Sequence, residues 1–255
     1  MARTIDFNCD MGESFGAYTM GNDEAIMPFV TSANIACGFH AGDSSVMRRT
    51  VEMARRQHLG IGAHPGFPDL RGFGRRNLGV TPAEVYDDVT YQMGALSAFV
   101  PDQKLQHVKP HGALYNMAVI DRDIASAISD AVGEMDPGLI LVALAGSAWV
   151  SLAAKRGLRV AREVFADRAV RADGTLVPRS VPGSVIRDRN EVVERSLRLV
   201  TEETVVAITG EIVSMPADTI CLHGDTPGAL ELASALRSAF ETAGVEVVPM
   251  GRFVV

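Results

Sequence analysis

A chain of 255 residues, 47% hydrophobic and 22% charged, has the makeup of an ordinary globular protein and can bury a sizeable core. Its net charge of −7 is spread along the chain without a charged block, which argues against nucleic acid and anionic membrane as partners. Residues 1–10 lack the apolar stretch of a signal peptide, and no run approaches the ~18 apolar residues of a membrane span. The three cysteines, Cys9, Cys37 and Cys221, lie far apart with no CxxC pair. Reduced thiols in a cytoplasmic protein are expected, not a disulfide framework or a thiolate zinc site.

Residues 5–9 (IDFNC) read as a first strand, which puts Asp6, Asn8 and Asp10 on one face. Polar residues there are wrong for a closed apolar core but suit a barrel lumen near its mouth. A glycine-punctuated loop over 10–16, containing Glu13, follows. A second strand, 32–39, is small and apolar and ends at His40. Asp43 stands where an N-cap belongs for a helix over 46–57, whereas His40 has no such structural excuse. The third strand, 59–63, ends at His64. Its following loop, 71–76, carries three arginines, among them Arg75 and Arg76, and suits a carboxylate or phosphate. Thr81-Pro82-Ala83-Glu84 has the N-cap, N1 proline and N3 glutamate of a helix start. That helix runs to about residue 100, with Val85, Val89, Met93 and Leu96 as its inner stripe.

The fourth strand, 104–108, leads into VKPHGALY at 108–115. Alternation aims His107, Lys109 and His111 the same way, Pro110 marks the strand's end, and Gly112 turns the chain toward a helix. A buried lysine needs a partner, so this pairing reads as catalytic. A helix over 121–135 precedes LILVAL at 139–144, a strand covered on both faces. A short helix, 149–156, and a sixth strand, 160–165, follow; Glu163 in that strand is an inward carboxylate. The stretch 166–187 is the longest without regular structure and carries Arg168, Arg171 and Arg179. It reads as a mobile lid that substrate or phosphate orders. A helix over 188–201, a small hairpin over 204–215, and a seventh strand, 218–222, come next. His223 and Asp225 follow that strand, then a helix over 228–243 and a last strand, 245–249.

Strand, polar cluster and helix recur six or seven times, which gives a parallel sheet with right-handed crossovers. Polar clusters follow at least five consecutive strands. An open sheet concentrates them at one crevice, so the expected fold is α/β, a single parallel (β/α) barrel of about seven strands spanning 1–255. Its carboxyl mouth would gather the catalytic candidates Asp10, His40, His64, Lys109, His111 and Asp225. The binding candidates are Asn8, Glu13, Arg75, Arg76, Glu163, Arg168, Arg179 and His223. There is no GxxxxGK[ST] phosphate loop, no GxSxG elbow and no HExxH. The set suits general acid–base work on an amide or carbonyl, with His111 moving the proton because an imidazole titrates near neutral pH. It could also hold one divalent metal, with ligands drawn from several strand ends.

Long motifs resemble those of the LamB/YcsF family across the whole chain. They are DFNCDMGESFG (6–16), ANIACGFHAGD (33–43), GAHPGFPDLRGFGRR (62–76), VKPHGALYN (108–116), EVFADR with DGTLVPR (163–179) and CLHGDTP (221–227). Val170 departs from the aromatic expected there. The resemblance implies ATP-dependent hydrolytic opening of 5-oxo-L-proline to L-glutamate, carried out with two partner subunits of 5-oxoprolinase and with ATP and Mg²⁺ as co-substrate. On that reading Lys109 would stabilise negative charge on the lactam oxygen or its phosphate. The implied fold is like that of polysaccharide deacetylases, whose metal triad is not plainly reproduced here. Two rival readings are a metal-dependent deacetylase or amidohydrolase acting alone, and a non-catalytic lactam-binding subunit.

Overall fold

The computed structural model describes residues 3–224 and 228–255. Short strands alternate with helices from one end to the other. β1 (Thr4–Met11) precedes α1 (Asp23–Ile26), β2 (Ser32–Ala36) precedes α2 (Ser44–Arg56), and β3 (Gly60–His64) precedes α3 (Pro82–Ser97). β4 (His107–Val108) leads to α4 (Gly112–Ile120) and α5 (Arg122–Met135), β5 (Ile140–Leu144) to α6 (Ala148–Lys155), and β6 (Arg159–Phe165) to α7 (Arg189–Thr201). The antiparallel hairpin β7 (Thr204–Val206) and β8 (Ile212–Ser214) stands apart. β9 (Thr219–His223), α8 (Ala229–Thr242) and β10 (Glu246–Val247) complete the chain. β1, β2, β3, β4, β5, β6 and β9 pair in parallel, in that order, and β9 pairs back onto β1, closing a seven-stranded barrel. β10 pairs with the first residues of β1, Thr4 and Ile5, just ahead of where β9 begins at Asp6. Among the described residues no helix is long and apolar enough to cross a membrane.

Local chemistry sets the element ends. Asp43 accepts from the Ser45 and Val46 backbone N–H groups and caps α2, and Thr81 and Glu84 form a reciprocal capping box on α3. The expected inner stripe of α3, Val85, Val89, Met93 and Leu96, is fully buried. Burying each such side chain contributes about 1.5–3 kcal/mol. The second strand is shorter than expected because Gly38, at φ +99°, takes the chain out of the sheet before His40. A separate helix, α4, follows His111; Asp121 turns extended there and its carboxylate caps α5.

The two barrel faces differ in chemistry. Outward residues such as Phe7, whose ring meets Phe240 edge-on, pack under the helices. Inside, Ile140, Val142, Ala161, Met250 and Val254 form an apolar plug. Above it the lumen is polar. Asp6 accepts from Thr31, Ser32, Thr219 and the Met250 N–H, yet complete burial outweighs those donors and pushes its carboxyl up to about 6. His107 reaches across to Asn34 (2.7 Å), and Gly62 makes the room: a Cβ there would lie 2.1 Å from the His107 ring.

The stretch 166–187 is a folded strap. Antiparallel bridges join Arg168 to Val185 and Val170 to Leu176, and the buried Arg168 guanidinium donates to the Ser184 and Val177 carbonyls. Val170, within this strap, is buried.

Candidate active site

Lys109 follows β4 into the lumen and is 2% exposed. Its ammonium faces Asp10 Oδ1 (2.9 Å), Glu163 Oε1 (2.8 Å), Cys221 Sγ (3.0 Å) and Asn8 Oδ1 (3.2 Å). Burial alone would discharge it, but Asp10, Cys221 and Glu163 outweigh burial and hold the charge. Burial also works against the Asp10 carboxylate; His64 and Lys109 beside it hold it well below the usual carboxylate range. Burial keeps Cys221 a thiol and pushes up the Tyr115 phenol, which Glu163 raises further. Asn8 and Asn34 tie the layer together: Asn34 donates to Asn8 (2.7 Å) and to Asp10 (2.8 Å).

Three imidazoles and a carboxylate sit at the layer's edge. His64 Nδ1 donates to the Lys109 carbonyl (2.5 Å), and its Nε2 lies 3.4 Å from Asp10 Oδ2. His111 Nε2 donates to the Phe73 carbonyl (2.9 Å). Its ring stacks on His40 with centroids 3.8 Å apart. Glu13 Oε1 lies 3.6 Å from both His40 Nε2 and His111 Nδ1. Burial first, then the neighbouring rings, holds His40 and His111 well below the ordinary imidazole range, so both are neutral at pH 7. Asp10 therefore pairs with Lys109 and reaches His111 only through His64.

A second pair stands beside Asp10, whose register partner on β9 is His223. His223 Nδ1 lies 3.0 Å from both oxygens of Asp167, and the ring stacks on Phe165. Asp167 is fully buried; burial raises its carboxyl, but His223, Arg179 and Arg168 outweigh that and hold it below its ordinary value. Asp167 is absent from the sequence candidates. A signal for it exists there: it follows β6 at the same carboxyl-end position that Asp10 holds on β1.

The arginines divide. Arg76 forks onto Asp69, and Arg168 staples the strap while lying close enough to Asp167 and Cys221 to interact with them electrostatically. Arg75 lies over the Phe73 ring (4.8 Å) and close enough to His40 and His111 to affect both. Arg179 is charge-coupled to Asp167 and Arg168. Asp225 lies outside the described residues.

Fold and site together define a closed parallel (β/α) barrel with a buried acid, imidazole and ammonium cluster at its carboxyl mouth. The chain belongs to the LamB/YcsF family, whose model matches residues 5–254. It is 56% identical over 248 residues to the A-type subunit of 5-oxoprolinase from Syntrophobacter fumaroxidans, covering 96% of this chain and 98% of that one. It is 54% identical over 245 residues to the A-type subunit of 5-oxoprolinase from Bacillus subtilis, covering 95% of each chain. The crystal structure of the lactam utilization protein from Thermus thermophilus superposes with a TM-score of 0.90 at 51% identity, over 96% of this chain and 99% of that one. A family 4 carbohydrate esterase from Streptomyces lividans shares the fold, with a TM-score of 0.51 at 9% identity, over 96% and 91% of the two chains.

Proposed function

We propose that this chain is the lactam-opening subunit of a 5-oxoprolinase, converting 5-oxo-L-proline to L-glutamate with ATP and two partner subunits. Relatives of that name, similar over nearly their whole length, support the reading. The absence of a GxxxxGK[ST] loop from the sequence favours placing ATP and Mg²⁺ on the partner subunits. The three buried free thiols fit a reducing, cytoplasmic setting.

The observation that carries the mechanism is the Asp167–His223 pair. A lactam is a stable amide. Transfer of a phosphoryl group to its carbonyl oxygen gives a leaving group. Water then adds to the carbon and the C–N bond breaks, which leaves an acyl phosphate on the opened chain; a second water attacks that carbon, and phosphate departs with its oxygen to give the free carboxylate. Water must lose a proton and the ring nitrogen must gain one. Asp167 holds the proton of His223 on Nδ1, which leaves Nε2 with the lone pair for both transfers. This moves the proton-transfer role from His111, which is neutral and bonded to the Phe73 carbonyl, to His223. Lys109 already faces four acceptors, so its role is to keep Asp10 ionised and to hold Asp10 and Glu163 in place. Arg75 and Arg179, at the rim, are assigned to the substrate carboxylate or phosphate.

The test is glutamate release from 5-oxoproline by this chain alone, with ATP, and with ATP and both partners. Release only in the full mixture is expected. ATP-independent release by the chain alone would support the second reading, a self-sufficient metal-dependent amidohydrolase, which the imidazole cluster favours.

A further inference from the structure

The top of the lumen crowds imidazole nitrogens together with few hydrogen-bond partners to serve them. A carbonyl cannot donate, so His64 carries its proton on Nδ1, toward Lys109, and His111 carries its proton on Nε2, toward Phe73. The remaining nitrogens, His64 Nε2 and His111 Nδ1, face each other at 3.0 Å, and His64 Nε2 also lies 3.4 Å from Asp10 Oδ2. Two lone pairs at that distance repel unless a positive centre stands between them. A single proton would satisfy this contact only. His40, which is 1% exposed, has no hydrogen-bond partner on either ring nitrogen among the described residues. Its Nε2 and His111 Nδ1 each stop 3.6 Å from Glu13 Oε1, too far for a hydrogen bond.

We propose that Glu13, His40, His64 and His111 bind one divalent transition metal of the Zn²⁺ class. One donor atom from each of the four residues lies within 4.8 Å of the others. Metal–nitrogen and metal–oxygen bonds of about 2.0–2.2 Å place neighbouring donors about 3–3.5 Å apart; here His64 Nε2 and His111 Nδ1 are 3.0 Å apart, and His40 Nε2 and His111 Nδ1 each lie 3.6 Å from Glu13 Oε1. Imidazoles with one carboxylate suit Zn²⁺, Co²⁺ or Fe²⁺ better than Mg²⁺ or Ca²⁺. The carbonyl bonds of His64 and His111 are the outer contacts that fix ring orientation at metal sites. Glycines let the loops press onto the rings: a Cβ on Gly66 would lie 2.6 Å from His40 Nδ1, and one on Gly74 would lie 3.0 Å from His111 Cδ2. A cation held there would supply Lewis acidity to an oxygen entering the mouth. The proposal stands on donor geometry and does not depend on the lactam reading.

The experiment uses the full chain with any tag removed, stripped of metal and titrated with Zn²⁺ and, separately, Co²⁺. The readouts are stoichiometry, the visible Co²⁺ spectrum and melting temperature. One Zn²⁺ per chain is expected, with a Kd below about 1 µM, a raised melting temperature and a Co²⁺ band. The His40 ring makes no hydrogen bond in the structure, so His40→Gln should leave the far-UV circular dichroism unchanged. The same substitution should weaken Zn²⁺ binding by more than about 100-fold, the upper range for an outer contact. His58, exposed on the surface, is the control, and His58→Ala should bind as wild type does. A folded wild-type chain with no stoichiometric Zn²⁺ and no Co²⁺ band overturns the proposal. So does unchanged Zn²⁺ affinity in folded His40→Gln, which would place the metal elsewhere.

Discussion

At the residue scale, the chemistry turns on which buried groups already have partners. Asp167 fixes the tautomer of His223, and an asparagine there would present an N–H to Nδ1 and move the ring proton to Nε2. Asp167→Asn should therefore lower kcat by roughly 10²–10⁴-fold with little change in KM. A merely structural Asp167 would lower melting temperature instead, so both are measured on the same preparation. Asp6 gives a second test. Its folded pKa, about 6, lies above its ordinary 3.8. The stability it adds is fully present below pH 3.8 and is lost as pH rises through 6. Relative to Asp6→Asn, the wild type should lose up to about 3 kcal/mol between pH 4 and pH 7, read from urea unfolding. Parallel stability–pH curves for the two proteins would refute this assignment. The sequence exposes Asp10, His64, Lys109 and His111 through strand alternation, and these four do meet. It hides the division of labour, because a spacing shows which face a side chain takes and not how many acceptors crowd it.

At the element scale, helix starts are legible where capping chemistry marks them, as at Asp43 and Thr81. The shortness of β4 and the separate α4 are not. Only two residues of β4 pair with its neighbours, while the next inward positions, Lys109 and His111, serve the site. Gly62 on β3 reads as a plain small residue, and its purpose emerges only where the His107 ring crosses over it. Gly62→Ala should cost about 1–3 kcal/mol, because a rigid ring bonded to Asn34 must move. Chemical denaturation measures it, and a neutral result would mean that the lumen has slack around the His107 ring. The strap over 166–187 reads as irregular because its two bridges join residues separated along a stretch without alternation. Arg168→Met would leave the Val177 carbonyl without its side-chain donor and the Ser184 carbonyl with the Ala169 N–H alone. It should raise hydrogen exchange across the strap while leaving the barrel strands protected.

At the scale of the whole molecule, the barrel is legible as a recurrence of strand, polar cluster and helix. Its closure is not. Closure depends on β9 reaching β1 after the hairpin excursion, and on Met250 and Val254 plugging the amino end beyond β10. Closure brings Asp10, Lys109, Asp167 and His223, more than 200 residues apart at the extremes, to one mouth. The central claim is that this mouth opens the lactam. The most direct measurement is glutamate release by the complex assembled with ATP and both partners, using wild-type chain and His223→Gln side by side. The variant should be folded, should assemble with wild-type stoichiometry and should turn over roughly 10²–10⁴-fold more slowly. An assembled His223→Gln complex that releases glutamate at the wild-type rate would contradict it.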